Sequence, residues 1–380
     1  KRINVYIVSL LGLIIGIIGI YQIKISGSII EDMPKSAPFF EDIRFFDQSF
    51  NGIVPVEIWL DSKRENGIVK PATLKRMNEL QEVIGEYPEL AQPISVVNAV
   101  KFAKQAYYNG NPNYYSLPTT QENSFIYPYL SKANGDSQLL SGYVDSTGQY
   151  GRITTFMQDI ETDRMEIIEA ELKKAITKIF PAERYGVNIT GKSLLFLKGT
   201  KYLINNLILS LSLAILLIAF FMAYLFRSFK MILISLIPNL LPLIITAGVM
   251  GFAGIPLKPS TILVFSIAFG ISVDDTIHFL AKYRQELISN NWRIKQAVFA
   301  ALRETGISMF YTSVVLFFGF SVFLSSNFGG TQALGGLVAV TLLMAMLANL
   351  ILLPSLLISL EDTISNDKVL KEPKIEILDQ

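Results

Sequence analysis

The chain has 380 residues, 51% of them hydrophobic, a mean hydropathy of +0.41 and a formal net charge of +1. So apolar a composition, gathered in long blocks, excludes an ordinary soluble globular protein and predicts a polytopic membrane protein, while near-neutral charge gives no overall field to gather nucleic acid. Zero cysteines and a single histidine exclude disulfides, thiolate metal sites and the usual zinc or iron sets, so no metal and no cofactor is expected.

Residues 5–23 form the first of six stretches long enough to cross ~30 Å of hydrocarbon at ~1.5 Å per helical residue. Lys1 and Arg2 precede it, as in a signal peptide, but the apolar run is too long and no small-residue cleavage site follows Ile20. It reads as a retained anchor, making 1–25 the first membrane segment.

Residues 26–202 are expected to be a large α+β domain. Val54, Val56, Ile58 and Leu60 alternate as in a strand, at the sheet edge because of Pro55. Pro71 suits a first helical turn, Leu74, Met77, Leu80 and Ile84 recur at helical spacing, and a short strand over 94–97 closes one β-α-β unit. A second unit is expected from strands at 139–145 and 150–158. Its helix is capped by Asp163 and Glu166, with Ile167, Ile168, Leu172, Ala175, Ile176 and Ile179 inward, and a strand at 185–190 follows. Between the units, Tyr107, Tyr108, Tyr114, Tyr115, Phe125, Tyr127 and Tyr129 stand in a loop-like stretch. Such rings can line a path for an amphipathic ligand, but local packing of a long loop is the commoner use.

The remaining spans are 207–226, 231–253, 261–281, 307–324 and 333–360, a five-helix bundle within 203–360, followed by a polar tail at 361–380. Orientation follows the basic residues of the short connections. Lys1, Arg2, Arg227, Lys230, Lys282, Arg284, Arg293, Lys295 and Arg303 fall on one side and Lys258 alone on the other, which predicts cytoplasmic termini and an external domain.

Within 261–281 stand two adjacent carboxylates, Asp274 and Asp275. A charge at the centre of a membrane helix costs about 2.5–3.5 kcal/mol on insertion scales, so two in succession point to ion-coupled transport. Ser266, Gly270 and Asp274 fall four apart and share a face, on which Gly270 is expected to admit a neighbouring helix close to the carboxylate. Asp275 lies about 100° further round. Like charges so close resist ionising together, which suits the pair to taking up and releasing a proton. The competing use is structural, with His278 and Lys282 as partners one and two turns on; His278 itself is expected to be a polar end residue near the cytoplasmic headgroups.

Residues 270–286, GISVDDTIHFLAKYRQE, resemble the Gly-x-x-x-Asp-Asp signature of the fourth membrane helix in the resistance-nodulation-division (RND) superfamily, on the branch of the MMPL proteins, hopanoid exporters and Patched-like proteins. Residues 304–330 and 333–357 are similar to the fifth and sixth helices of the same family, in the same order. The resemblance implies a six-helix RND-type half with a periplasmic porter-like domain after its first helix. It further implies a proton-motive-force-driven exporter of hydrophobic or lipid-like molecules from the bacterial inner membrane, not an enzyme. Carried onto this sequence, Asp274 and Asp275 would be the proton-relay acids, and Thr312, Ser313 and Asn349 candidates to hydrogen-bond them, although Thr312 and Asn349 equally suit ordinary helix-to-helix bonds.

Family members usually carry two such halves as parallel repeats, whereas this chain has one. With Lys1 in place of Met and a polar tail, it reads as the C-terminal half of a longer polypeptide, or else as a half-length subunit with a homodimer mate. The other expected partners are a lipid or hydrophobic small-molecule substrate and a periplasmic carrier protein. Two further functions fit the layout: a SecD/SecF-like accessory subunit of protein secretion, and a lipid-binding sensor or scaffold, against which the acid pair argues.

Overall fold

Hydrocarbon offers no water to satisfy a backbone, so each long apolar run is expected to fold as a helix bonded within itself. The computed structural model, which describes residues 2–26, 30–133, 141–226 and 228–359, has six helices long and apolar enough to cross a membrane. In chain order the elements are α1 (Arg2–Ile20), α2 (Pro38–Ser49), β1 (Val54–Asp61), α3 (Pro71–Gly85), α4 (Val96–Tyr107), α5 (Asn123–Ala133), β2 (Tyr150–Met157), α6 (Thr162–Ile179), β3 (Gly186–Thr190), α7 (Lys192–Phe226), α8 (Phe229–Phe252), α9 (Pro259–Ser289), α10 (Ile294–Ser321), α11 (Gly329–Leu347) and α12 (Leu353–Ser359). A π-helical turn, Ala348–Leu352, joins the last two into one span. The chain divides into two compact units, one holding α1 and the helices after Thr200, the other holding α2–α6 and the three strands up to Gly199. The tail 361–380, residues 139 and 140 of an expected strand, and the basic residues Lys1 and Arg227 lie outside the described residues.

Small residues decide which membrane helices meet. A Cβ added at Gly248 of α8 would stand 2.5 Å from the Cα of Gly16 on α1, and Gly19 meets the Gly248 backbone as closely, so only glycine lets the two helices touch here. Thr246 of α8 and Thr341 of α11 share a buried 2.7 Å hydrogen bond. Beyond α1, Ile25 pairs with Leu257 in the α8–α9 connection, where buried Lys258 forms an ion pair with Asp32. Two spans are loosened by proline: Pro238 and Pro242 interrupt α8, and Pro354 follows the π turn. Pro354 has no N–H for the carbonyl four residues back, which accounts for the widened turn before it.

In the α+β unit a three-stranded antiparallel sheet, in the order β2-β1-β3, packs against α3, α4 and α6. Pro55 does not mark an edge: β1 is the central strand. The proline is tolerated because pairing with β3 ends at Glu57–Thr190, leaving only β2 alongside it. Of the two expected β-α-β units only the second forms, as β2-α6-β3 with β1 inserted between its strands. Residues 94–97 are not a strand either. Ile94 makes a lone bridge to Thr154, and Ser95 then caps α4, its hydroxyl accepting from the Val97 N–H at 3.0 Å while Asn98 accepts from the Ser95 N–H at 2.9 Å. That capping box outweighs the strand preference of two valines. Val144 likewise makes only a lone bridge to Gly151.

α3 starts on Pro71 and buries Leu74, Met77, Leu80 and Ile84. α6 buries Ile168, Leu172, Ile176 and Ile179, but it turns Ile167 outward and buries Met165 instead. Its N-cap residue, Glu161, makes no side-chain cap hydrogen bond; Asp163 sits in its first turn, where a carboxylate favours the helix dipole. α7 begins at Lys192, well before 207, and its first turns bury Leu194 and Leu197 in this unit's core.

The aromatic stretch is more helical than expected, lying at the end of α4, in a 3-10 turn at Pro112–Tyr114 and in α5. Tyr108 stacks on Tyr114 with centroids 4.0 Å apart, and Tyr107 lies 5.0 Å from Phe125. The Tyr108 hydroxyl donates to Glu122, which pairs with Lys104 at 2.8 Å. The Lys104 bond, helped by the Thr119 backbone N–H, holds the Glu122 carboxyl down at about 2. Tyr107, Tyr108, Tyr114 and Phe125 thus pack on one another.

Candidate functional site

Residues four apart on a helix share a stripe, and α9 carries two polar stripes of opposite fate. Ser272 and Thr276 are buried; Ser266, Gly270, Asp274 and His278 are exposed. Among the described residues nothing lies within 4 Å of a Cβ placed on Gly270, so the close helix approach expected there is not made by them. The Asp274 carboxylate is 72% exposed, and His278 one turn on stands 3.5 Å from it. Lys282 is taken by Glu286 at 3.2 Å and Glu304 at 2.6 Å rather than by the acid pair. Asp275, round the helix from Asp274, is half-buried, on the side of α9 near buried Ser313 of α10. A membrane helix thus presents one carboxylate toward its own bundle and one away from it.

Thr312 and Asn349 are placed differently from Ser313. Thr312 is exposed and bonds the carbonyls of Ser308 and Met309 in its own helix, at 3.0 Å each. Asn349, buried in the π turn, joins a polar knot beside the acids. The Ser272 hydroxyl donates to Asn239 Oδ1 at 2.8 Å, and the Thr276 hydroxyl lies 2.9 Å from Asn239 Oδ1 and 2.8 Å from Asn349 Oδ1. The amides are anchored in turn, Asn239 Nδ2 to the Ser235 carbonyl at 2.8 Å and Asn349 Nδ2 to the Ser272 carbonyl at 3.2 Å. α8, α9 and the last span are therefore tied together at Thr276, the residue following Asp275.

Sequence reasoning missed Asn239, Ser272 and Thr276. Their signal was present: an amide between Pro238 and Pro242 in an apolar run, and two hydroxyls four apart flanking the acids. Buried polar groups in a membrane helix seek one another because hydrocarbon offers no alternative partner.

A six-helix set with adjacent acids in its fourth span invites comparison with known families, and the chain matches the MMPL family over residues 78–372, which includes α9 and both acids. The chain belongs to the MMPL family. A curated relative from Methanocaldococcus jannaschii, described as a membrane protein, is 29% identical over 126 residues, or 33% of this chain. That match spans about a third (32%) of the relative's own length. Membership of the MMPL family fits a membrane protein with several transmembrane helices.

Proposed function

We propose that this MMPL chain is one six-helix half of a proton-driven secondary transporter that exports a hydrophobic or lipid-like substrate from the cytoplasmic membrane. The observation that carries the reading is the placement of the acids: Asp275 half-buried toward the bundle, and Asp274 exposed on a membrane-spanning helix. Ionisable groups at that depth are expensive and face a bundle interior or a water-filled path. An uncovered Asp274 therefore calls for a second six-helix half, in the same polypeptide or as a homodimer mate, laid against Ser266, Gly270 and Asp274. Gly270, open on this side, then admits the mate's helix closely.

Proton entry down a membrane potential supplies ~2.3 kcal/mol per charge per 100 mV, enough for one or two protons to drive a conformational cycle. The basic residues support a cytoplasmic location for the acid helix's Lys282 end and an external one for the α+β unit. Lys258, the exception in that count, is neutralised by Asp32, which supports the same assignment.

The test compares Asp274→Asn, Asp275→Asn and the double variant with wild type in proton-gradient-driven substrate movement across vesicles. Asparagine keeps size and hydrogen bonding but cannot cycle a proton. Each variant should fold, bind substrate and lose driven export; full transport by the double variant would refute the relay.

A further inference from the structure

A groove of about 330 Å³ opens between α1, α8 and the last span. Val8, Ile245 and Ile351 contribute to its aliphatic walls, and Asn4 and Ser9 of α1 supply polar groups. Its volume sits at the low end of the ~300–1,000 Å³ usual for ligand sites. That is room for one hydrocarbon chain. A helix, about 10 Å across with its side chains, does not enter it. All three walls belong to membrane-spanning helices, so the medium at the groove's mouth is lipid hydrocarbon.

Two walls are the loosened parts of their helices. Pro242 lines the groove from α8, and Ala348 and Ile351 line it from the π turn, the kind of irregularity that recurs at functional positions. Each wall also carries one amide of the polar knot: Asn239 stands one turn before Pro242, and Asn349 follows Ala348. A chain seated between Ile245 and Ile351 therefore bears on the two segments that hold Ser272 and Thr276, the residues flanking the acids.

We propose that this groove binds a single acyl chain of a membrane lipid, and that its occupancy is linked to the Asp274–Asp275 site through Asn239 and Asn349. The binding site stands apart from the relay reading; the link rests on it.

The test uses the full chain in vesicles containing a phosphatidylethanolamine with a diazirine midway along one acyl chain, irradiated and mapped by peptide mass spectrometry. Labelling at Val8, Ile245 or Ile351 should exceed that at Leu216 and Phe220, exposed on α7, by fivefold or more. Ile351→Trp, at a groove position 47% exposed, should abolish the excess at Val8 and Ile245 while leaving the melting temperature near wild type, and the wild-type ratio decides the question even if that variant folds poorly. Labelling in the groove no higher than on α7 overturns the site, including the case in which another subunit covers it. For the link, Asp275→Asn should change groove labelling at least twofold, and Asn349→Ala should remove that response. Groove labelling indifferent to Asp275→Asn overturns the link. A double acid variant that still transports fully removes the relay without touching the wild-type labelling ratio, so the two failures are distinguishable.

Discussion

Replacing Thr276 with valine keeps the side chain's shape and removes one hydroxyl. That hydroxyl stands 2.9 Å from Asn239 Oδ1, 2.8 Å from Asn349 Oδ1 and 3.1 Å from the Ser272 carbonyl, but it has one proton and can donate to one of them at a time. Asn239 keeps the bond from Ser272, so the loss falls on Asn349, whose buried oxygen gives up the Thr276 donor. Orphaning a buried acceptor costs about 1–3 kcal/mol in soluble cores, while interhelical bonds in membrane proteins average about 0.6 and reach about 1.7 kcal/mol. One bond at the upper end of the membrane range gives an expected loss of about 1–2 kcal/mol. Equilibrium unfolding in mixed micelles measures it, with Thr276→Ser, which retains the hydroxyl, beside the valine variant. Ser210→Ala serves as control because that exposed hydroxyl bonds only the Leu207 carbonyl of its own helix. If valine matches wild type while serine is destabilised, the methyl group rather than the hydrogen bond holds the three helices, and the reasoning fails.

In the α+β unit, Leu172→Ala should cost about 2–5 kcal/mol and Ile167→Ala less than about 0.5, because the first is 2% exposed and the second 49%; equal losses in thermal or denaturant unfolding would remove the inward face assigned to α6. Glu122, held at about 2 by Lys104, has a folded value below its unfolded one. Its contribution is present above the unfolded value of ~4.3 and is lost as pH falls from there through about 2. Unfolding curves for Glu122→Gln should therefore diverge from wild type at neutral pH and converge on it in acid, and a constant gap would contradict the pairing. Because the sequence contains no cysteine, single cysteines report topology directly: one at Ser289 should react only when the cytoplasmic side is opened and one at Asn113 from outside, with the reverse pattern overturning the orientation.

Local physics is written in short stretches of sequence, and there it was readable. An apolar run longer than the hydrocarbon is thick has one stable backbone solution, which is why the spans are legible in the sequence. Pro71 at a first helical turn and the 3.6-residue recurrence of Leu74, Met77, Leu80 and Ile84 gave α3 its observed bounds. Two adjacent acids in such a run stand out because charges placed in a membrane span are costly to insert. Periodicity, however, identifies a face without saying what lies against it. The Gly270 stripe was expected to be packed and is open, whereas Ser272 and Thr276 on the opposite stripe meet amides 33 to 77 residues away in sequence. Pro55 could be placed in a central strand only once β3 was seen to stop short of it, and the valines after Ser95 yielded to a cap whose partner, Asn98, matters only in the folded geometry. Contacts between distant segments depend on which backbones approach closely enough to exchange hydrogen bonds, and that was decided by glycine seams, proline-loosened turns and sheet order that tertiary structure alone brings together.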